Sequence, residues 1–317
     1  MILAYNLSPT LKDLIIKIDK TRTELLLLPL SPKVELRLRW EAQVAKVYWS
    51  LVLSANRLSK NQMAKILNSD TKLKHSKEEL EVGNYKKGLN YISQEWTGNG
   101  RQATLNTLST LFNIVCKPTV TRTQSISSKN KRELNVIFEY LHSSPEHPAI
   151  QAGISQASLI DLAPFEEGNG RMARLLPYLY LYKQGFDCRG MLALDEFYRR
   201  DLIGLNMAIK SLKNNKSLTL WLEFFVKGLY IQLLKAFEAA RESKFSMDIS
   251  SALTKLNNRQ KEILTILDVP GSKITNKVVQ NTFKVSQITA SRDLTKLHNL
   301  NLIFVHGKGR STYYTRV

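Results

Sequence analysis

From its first residues to about position 300 the apolar side chains of this chain recur at helical spacing, and strand-like alternation is only weakly present, over 117–126. That property excludes sandwiches, barrels and doubly wound sheets for most of the chain and leaves a mainly α fold, a helical bundle. Leu11, Leu14, Ile15, Ile18 and Leu25 predict a helix from Thr10 to Leu28, stopped by Pro29 and Pro32. Leu36, Trp40, Val44, Val47 and Leu51 carry a second from Lys33 to Leu58, and Ser59 caps a third, Lys60 to Leu67. Further helices are expected at Glu78 to Ser93, Leu105 to Val115, Lys129 to His142, Pro148 to Leu162 and Ala173 to Lys183. The most apolar stretch, Leu218 to Ala239, contains Glu223, Lys227 and Lys235, so it reads as a buried helix and no membrane partner is expected.

Polar and small residues from Glu242 to Ser251 mark a boundary. The expected divisions are N-terminal helices over 1–70, a core over 71–245 and a small domain over 252–317. In the last, short helices at Arg259 to Leu267, Asn276 to Phe283 and Ser286 to Leu300 precede an alternating segment that turns at Gly307-Lys308-Gly309 and returns through Tyr313 and Tyr314. A formal net charge of +19 suits a polyanionic partner. The two cysteines, Cys116 and Cys188, make neither a disulfide framework nor a metal spacing, which points to a reducing, cytoplasmic setting. No secretory signal is read at the N-terminus.

Chemistry concentrates between Pro164 and Arg174, in the string Pro-Phe-Glu-Glu-Gly-Asn-Gly-Arg-Met-Ala-Arg. Glycines flanking an asparagine let the backbone N–H groups of Gly168, Asn169 and Gly170 curl toward one point, and a helix opening there adds its own unpaired N–H groups and the positive end of its dipole. That is an anion site suited to nucleotide phosphates. Arg171 and Arg174, one helical turn apart, offer charged forks to the same phosphates, and Glu167 offers a carboxylate to a Mg²⁺ bridging them. A second Gly-Asn-Gly-Arg, at Gly98 to Arg101, has no acidic residue immediately before it and no strongly apolar helix after it, and is assigned no chemistry.

The longer string resembles the signature of the Fic (Fido) family, His-Pro-Phe-x-Asp/Glu-Gly-Asn-Gly-Arg-x-x-Arg, matching it at Pro164, Phe165, Glu167, Gly168, Asn169, Gly170, Arg171 and Arg174. Ala163 stands where that family has histidine, the general base that deprotonates a target-protein hydroxyl for attack on the α-phosphate of ATP. The resemblance therefore implies a Fic core over 71–245 with an ATP and Mg²⁺ site and no catalytic base. In relatives with an inhibitory helix, a glutamate pairs with the second arginine of the signature; aligning Ser50 to Asn56 with that motif puts Ser54 at the glutamate's position. The segment where the family has a target-docking hairpin, Pro118 to Ser128, lacks the glycines of a tight turn and reads as a plain connection.

The C-terminal segment resembles a winged helix-turn-helix, a module many Fic proteins carry there. The resemblance would put the helix from Ser286 in the major groove, with Gln287, Ser291 and Arg292 near bases or phosphates and Lys308 and Arg310 on the wing. The reading that follows is a degenerate, nucleotide-binding, DNA-linked regulator. The alternatives are an active protein adenylyltransferase using another base on its target protein, and a winged-helix DNA-binding protein whose helical domain dimerises.

Overall fold

Serine and proline start the first two helices. In α1 (Pro9–Leu27) and α2 (Pro32–Val52), Ser8 and Ser31 each accept a hydrogen bond from a backbone N–H of the first turn, and the following proline supplies a helical φ where no donor is needed. The computed structural model describes residues 4–68, 76–120, 126–214, 217–254, 256–268, 272–300, 302–307 and 309–316. The chain continues through α3 (Lys60–Asn68), α4 (Lys77–Glu95), α5 (Leu105–Val115), α6 (Ser128–Ser143), α7 (Pro148–Leu162) and α8 (Asn169–Lys183). It then forms α9 (Asp195–Arg200), α10 (Leu202–Asn214), α11 (Thr219–Thr254), α12 (Asn258–Leu267), α13 (Asn276–Phe283) and α14 (Gln287–Asn299). Reciprocal capping boxes at Ser76/Glu79, Thr104/Thr107 and Asn257/Gln260 fix the starts of α4, α5 and α12.

Two compact units result, Met1–Ala240 and Arg241–Val317. The stretch Glu242 to Ser251, expected as a break, is helical backbone within α11. The first unit is built around α7 and α8, whose facing side chains, among them Ile154, Ala157, Met172, Leu175 and Leu179, are fully buried. Gly153 lets α11 approach α7: a β-carbon there would lie 2.7 Å from Leu222 Cδ2, and the Trp221 indole N–H donates to the Gly153 carbonyl at 2.8 Å. Trp221 and Phe225 are thus core residues.

The apolar pattern carries the second helix to Leu58, but α2 ends at Val52. Ala55 takes a left-handed conformation (φ 64°), and Asn56 turns inward, donating to Glu78 O at 3.1 Å and Glu81 Oε2 at 2.9 Å. Polar side chains that find partners off the helix axis stop it where the hydrophobic period alone would not.

The second unit has its own core of Ile263, Leu264, Leu267, Val279, Leu294 and Leu297 beneath a hairpin, β1 (Ile303–His306) antiparallel to β2 (Tyr313–Arg316) with Ile303 opposite Arg316. At about 1.5–3 kcal/mol per fully buried aliphatic side chain, this set accounts for a small unit holding together without a disulfide. Asp293, 3% exposed, ties α14 to α12 by accepting from Arg259 Nε at 2.6 Å and Gln260 Nε2 at 2.7 Å.

Candidate functional site

The loop between α7 and α8 is closed by one side chain. Asn169 accepts from the Phe165 N–H at 3.0 Å and donates from Nδ2 to the Phe165 carbonyl at 2.6 Å. Phe165 stacks on Phe112 of α5, centroids 4.2 Å apart and planes at 18°, which anchors the loop to the core. The Asn169 side-chain amide thus staples the loop. Gly168 begins α8 at φ 89°, and a β-carbon there would meet Cys116 Sγ at 2.8 Å, so both conformation and space demand glycine. Burial pushes the Cys116 thiol up to about 11, so it packs under the loop as a neutral group. The N-cap of α8 is Gly168, which has no side chain to cap the first turn, in contrast to Ser76 of α4 and Thr104 of α5. Ala163 closes α7 in the left-handed region at φ 39° and is exposed.

The two arginines leave this loop in different directions. Arg171 is 7% exposed; its Nη1 donates to Glu81 Oε1 at 3.2 Å and to Thr119 Oγ1 at 3.0 Å. Glu81 also takes the Asn56 amide, so a carboxylate of α4 sits on the fork that a phosphate would need. Arg174 runs beneath the loop: a β-carbon at Gly170 would lie 3.1 Å from its Nη1. Its Nε donates to Ser50 Oγ at 2.9 Å, and its Nη2 donates to Ser50 O at 2.8 Å and to Ser54 Oγ. Ser54 thus meets the second arginine, with a hydroxyl in place of a charge. Glu167 is half-buried directly before Gly168. Of the hairpin segment between α5 and α6, residues 121–125 lie outside the described residues; Thr119, just before them, is buried and donates to Cys116 O at 3.0 Å.

In the second unit Gln287, Ser291 and Arg292 lie exposed on α14. Ser291 Oγ accepts from Asn276 Nδ2 at 2.8 Å, which locks α13 to α14 and leaves the hydroxyl proton to donate outward. Thr295, Lys296 and Asn299 share that face, bordering a concavity of about 710 Å³ with Ile288. The sequence reading passed over these three, although they follow Ser291 and Arg292 at helical spacing. Lys308 lies outside the described residues, and Arg310 is described by its backbone alone, in a 3-10 turn from Gly309 to Ser311.

Residues 96–181, from the end of α4 almost to the end of α8, match the model of the Fic/DOC family. The chain carries a Fic/DOC domain. Residues 259–313 match the DeoR-like helix-turn-helix domain, a span that takes in nearly all of α12 to α14 and reaches the first residue of β2. Among solved structures, a Fic family protein from Desulfovibrio desulfuricans G20 superposes with a TM-score of 0.64 at 16% identity, covering 99% of this chain and 98% of that one. Fic-1 (residues 134–508) from C. elegans gives 0.60 at 21% identity, covering 72% of this chain and 71% of that one. A Fic domain containing signaling protein from Bacteroides thetaiotaomicron VPI-5482 gives 0.57 at 21% identity over 71% and 98% of the two chains. These likenesses establish the fold. No curated protein matches the chain significantly. Among the described residues no helix is long and apolar enough to cross a membrane.

One residue of the first unit escaped sequence reasoning altogether. Asp195, at the start of α9, is fully buried, its oxygens accept no hydrogen bond from another residue, and Arg174 Nε lies 3.9 Å from Oδ1. Burial pushes its carboxyl up to about 7, against the opposing pull of Arg174 and Lys46. The phenols of Tyr85, Tyr178 and Tyr198 are raised by burial and by this carboxylate. Because the native carboxyl titrates above its unfolded value, the folded state holds the extra proton between about pH 4 and 7, and stability falls as pH rises through that window. Asp195→Asn removes the titration. Urea unfolding of both proteins at about pH 5 and about pH 8 should show the natural chain losing ground to the variant at the higher pH. A constant difference would mean that the carboxylate is hydrated.

Proposed function

We propose that the Fic/DOC domain binds a nucleotide, ATP with Mg²⁺, at the glycine loop without transferring AMP at a useful rate, and that the helix-turn-helix domain links this state to DNA. The observation that carries the reading is the start of α8: a left-handed glycine N-cap with no side chain of its own over the first turn and the Arg174 guanidinium beside Gly170, next to Ala163, whose methyl accepts no proton. The N–H groups of that turn and the charge of Arg174 hold phosphate oxygens, with Arg171 joining once its fork is released from Glu81. Among the described residues no cluster of three or more His, Cys, Asp or Glu side chains gathers into a metal cage. The single carboxylate of Glu167 fits the way Mg²⁺ is held, by one or two protein carboxylates with phosphate and water completing its shell. When bound, the ion neutralises phosphate charge.

AMP transfer needs a group to take the proton of the attacking hydroxyl, a contribution of about 10²–10⁴-fold. Ala163 supplies none, and Ser54 gives Arg174 a neutral acceptor where the resemblance calls for a charged brake. A regulator that senses nucleotide needs neither. Calorimetric titration with Mg-ATP tests the site. Losing a charge-assisted contact worth about 1.5–3 kcal/mol, Arg171→Ala should bind roughly ten- to a hundredfold more weakly. Glu81→Gln, which removes the competing carboxylate, should bind more tightly than the natural chain. Equal affinity in natural and Arg171→Ala proteins removes Arg171 from the site.

A further inference from the structure

A second cleft in the Fic/DOC unit opens at the other end of α8. At about 1.5 Å of rise per residue, Tyr182 lies roughly 20 Å along the helix from Gly168, so the cleft is separate from the glycine loop. Its volume is about 510 Å³, within the range that small-molecule sites occupy. Trp40 and Gln43 of α2, Asn90 of α4, Tyr182 of α8 and Arg189 with Gly190 of the following turn line it.

Lys46 forms its floor. The side chain belongs to a residue only 4% exposed; Nζ donates to Gly190 O at 2.9 Å and to Tyr182 Oη at 3.5 Å, and lies 5.4 and 5.8 Å from the ring centroids of Tyr178 and Tyr182. Each of those partners is neutral. On its inner side the ammonium feels the carboxyl of Asp195; on the cleft side no described carboxylate is paired with it. A buried ammonium with no carboxylate paired to it on its cleft side can be compensated there by an anion. The rim is close to balanced, which leaves Lys46 as the excess charge: Arg39 and Arg189 both bind the one carboxylate of Glu35, each at 2.5 Å, and these guanidiniums, Arg189 above all, hold it below its usual range. Asp187 is the one acidic residue lining the cleft. Trp40 and Tyr182 offer ring surface, and the amides of Gln43 and Asn90, bonded at 3.2 Å, offer a donor and an acceptor to a polar edge.

We propose that this cleft binds a small aromatic or heteroaromatic carboxylate, its ring against Trp40 and Tyr182 and its charge on Lys46. The class follows from the combination of one recessed cation, flat walls and limited volume: a phosphate diester chain is too long, and a neutral ring leaves the ammonium uncompensated.

The test uses the full chain and three carboxylates, benzoate, nicotinate and indole-3-acetate, each beside its neutral amide. Tryptophan fluorescence and thermal unfolding are followed up to about 10 mM ligand, a range that detects millimolar binding. At least one carboxylate should bind and raise the melting temperature while its amide binds tenfold or more weakly. Lys46→Met should lose that preference. Ser93→Trp, at an exposed position bordering the cleft, should block binding in a protein with an unaltered core, and Arg171→Ala at the glycine loop should bind as the natural chain does. Silence from all three carboxylates, equal binding of acid and amide, or undiminished binding by Ser93→Trp overturns the proposal. The Arg171→Ala control separates this outcome from failure of the nucleotide site.

Discussion

Replacing Ala163 with histidine is expected to raise label transfer from ATP to protein by about 10²–10⁴-fold, the contribution of a positioned base. The backbone is prepared for the change. Ala163 already holds a β-carbon at φ 39°, so an imidazole adds no new strain at that point. The position is exposed and closes α7 immediately before the loop that Asn169 staples, so the new ring has room close in sequence to the glycine nest. The experiment pairs the two proteins with labelled ATP and Mg²⁺ in a lysate. Label only with the restored histidine identifies a phosphate site that lacks nothing but its base. Label from both proteins means that another group takes the proton, and the proposed silence is wrong. Absence of label from both, with no heat of ATP binding, leaves the domain as a scaffold.

The second large effect concerns DNA. A gel shift by the full chain should weaken steeply with salt, because each neutralised phosphate releases condensed counterions. Arg292 and Lys296 stand one turn apart on the exposed face of α14. Changing both to alanine should lower the slope of log affinity against log salt by about two and weaken binding roughly uniformly across sequences. Gln287→Ala, by contrast, should relax sequence preference with little change in that slope, as expected for a side chain reading a base edge. Ending the chain at Ala240 should abolish the shift. A truncated protein that shifts DNA as well as the full chain would move the interface to the Fic/DOC unit and its basic surface.

Much of the architecture is legible in the residues because local signals and tertiary packing agree. Leu105–Val115 and Asn276–Phe283 are readable to the residue, since Thr104 and Thr275 cap an apolar face whose period matches its burial. The signature loop is legible too, and with it the contact of Ser54 with Arg174, though only through the family resemblance and not from spacing. Other features leave no local trace. The helices over 195–214 went unread: Ile203 and Met207, 77% and 67% exposed, blur the apolar face of α10. Glu81 and Arg171 are far apart in the chain, and nothing near either announces the pair. Asp195 is an unremarked acidic residue in the sequence; its perturbed carboxyl arises from the tyrosines and the arginine that the fold gathers around it. Asn169 adds a role that the sequence does not announce: besides the backbone N–H read as a phosphate donor, its side chain holds the loop in shape.

The chain contains the tetrapeptide Gly-Asn-Gly-Arg twice, and its first glycine is left-handed both times, φ 60° at Gly98 and 89° at Gly168. At 98–101 it ends a helix: Asn99 and Arg101 both donate to the carbonyl of Glu95, and Gly98 N–H donates to Tyr182 O. At 168–171 it opens one. The four letters therefore carry almost no information about where they act. The address is written in their neighbours, in Phe165 wedged on Phe112 on one side and Trp96 closing α4 on the other. A pattern search blind to that context would return the same loop twice from one chain, and the one at 98–101 would be a punctuation mark.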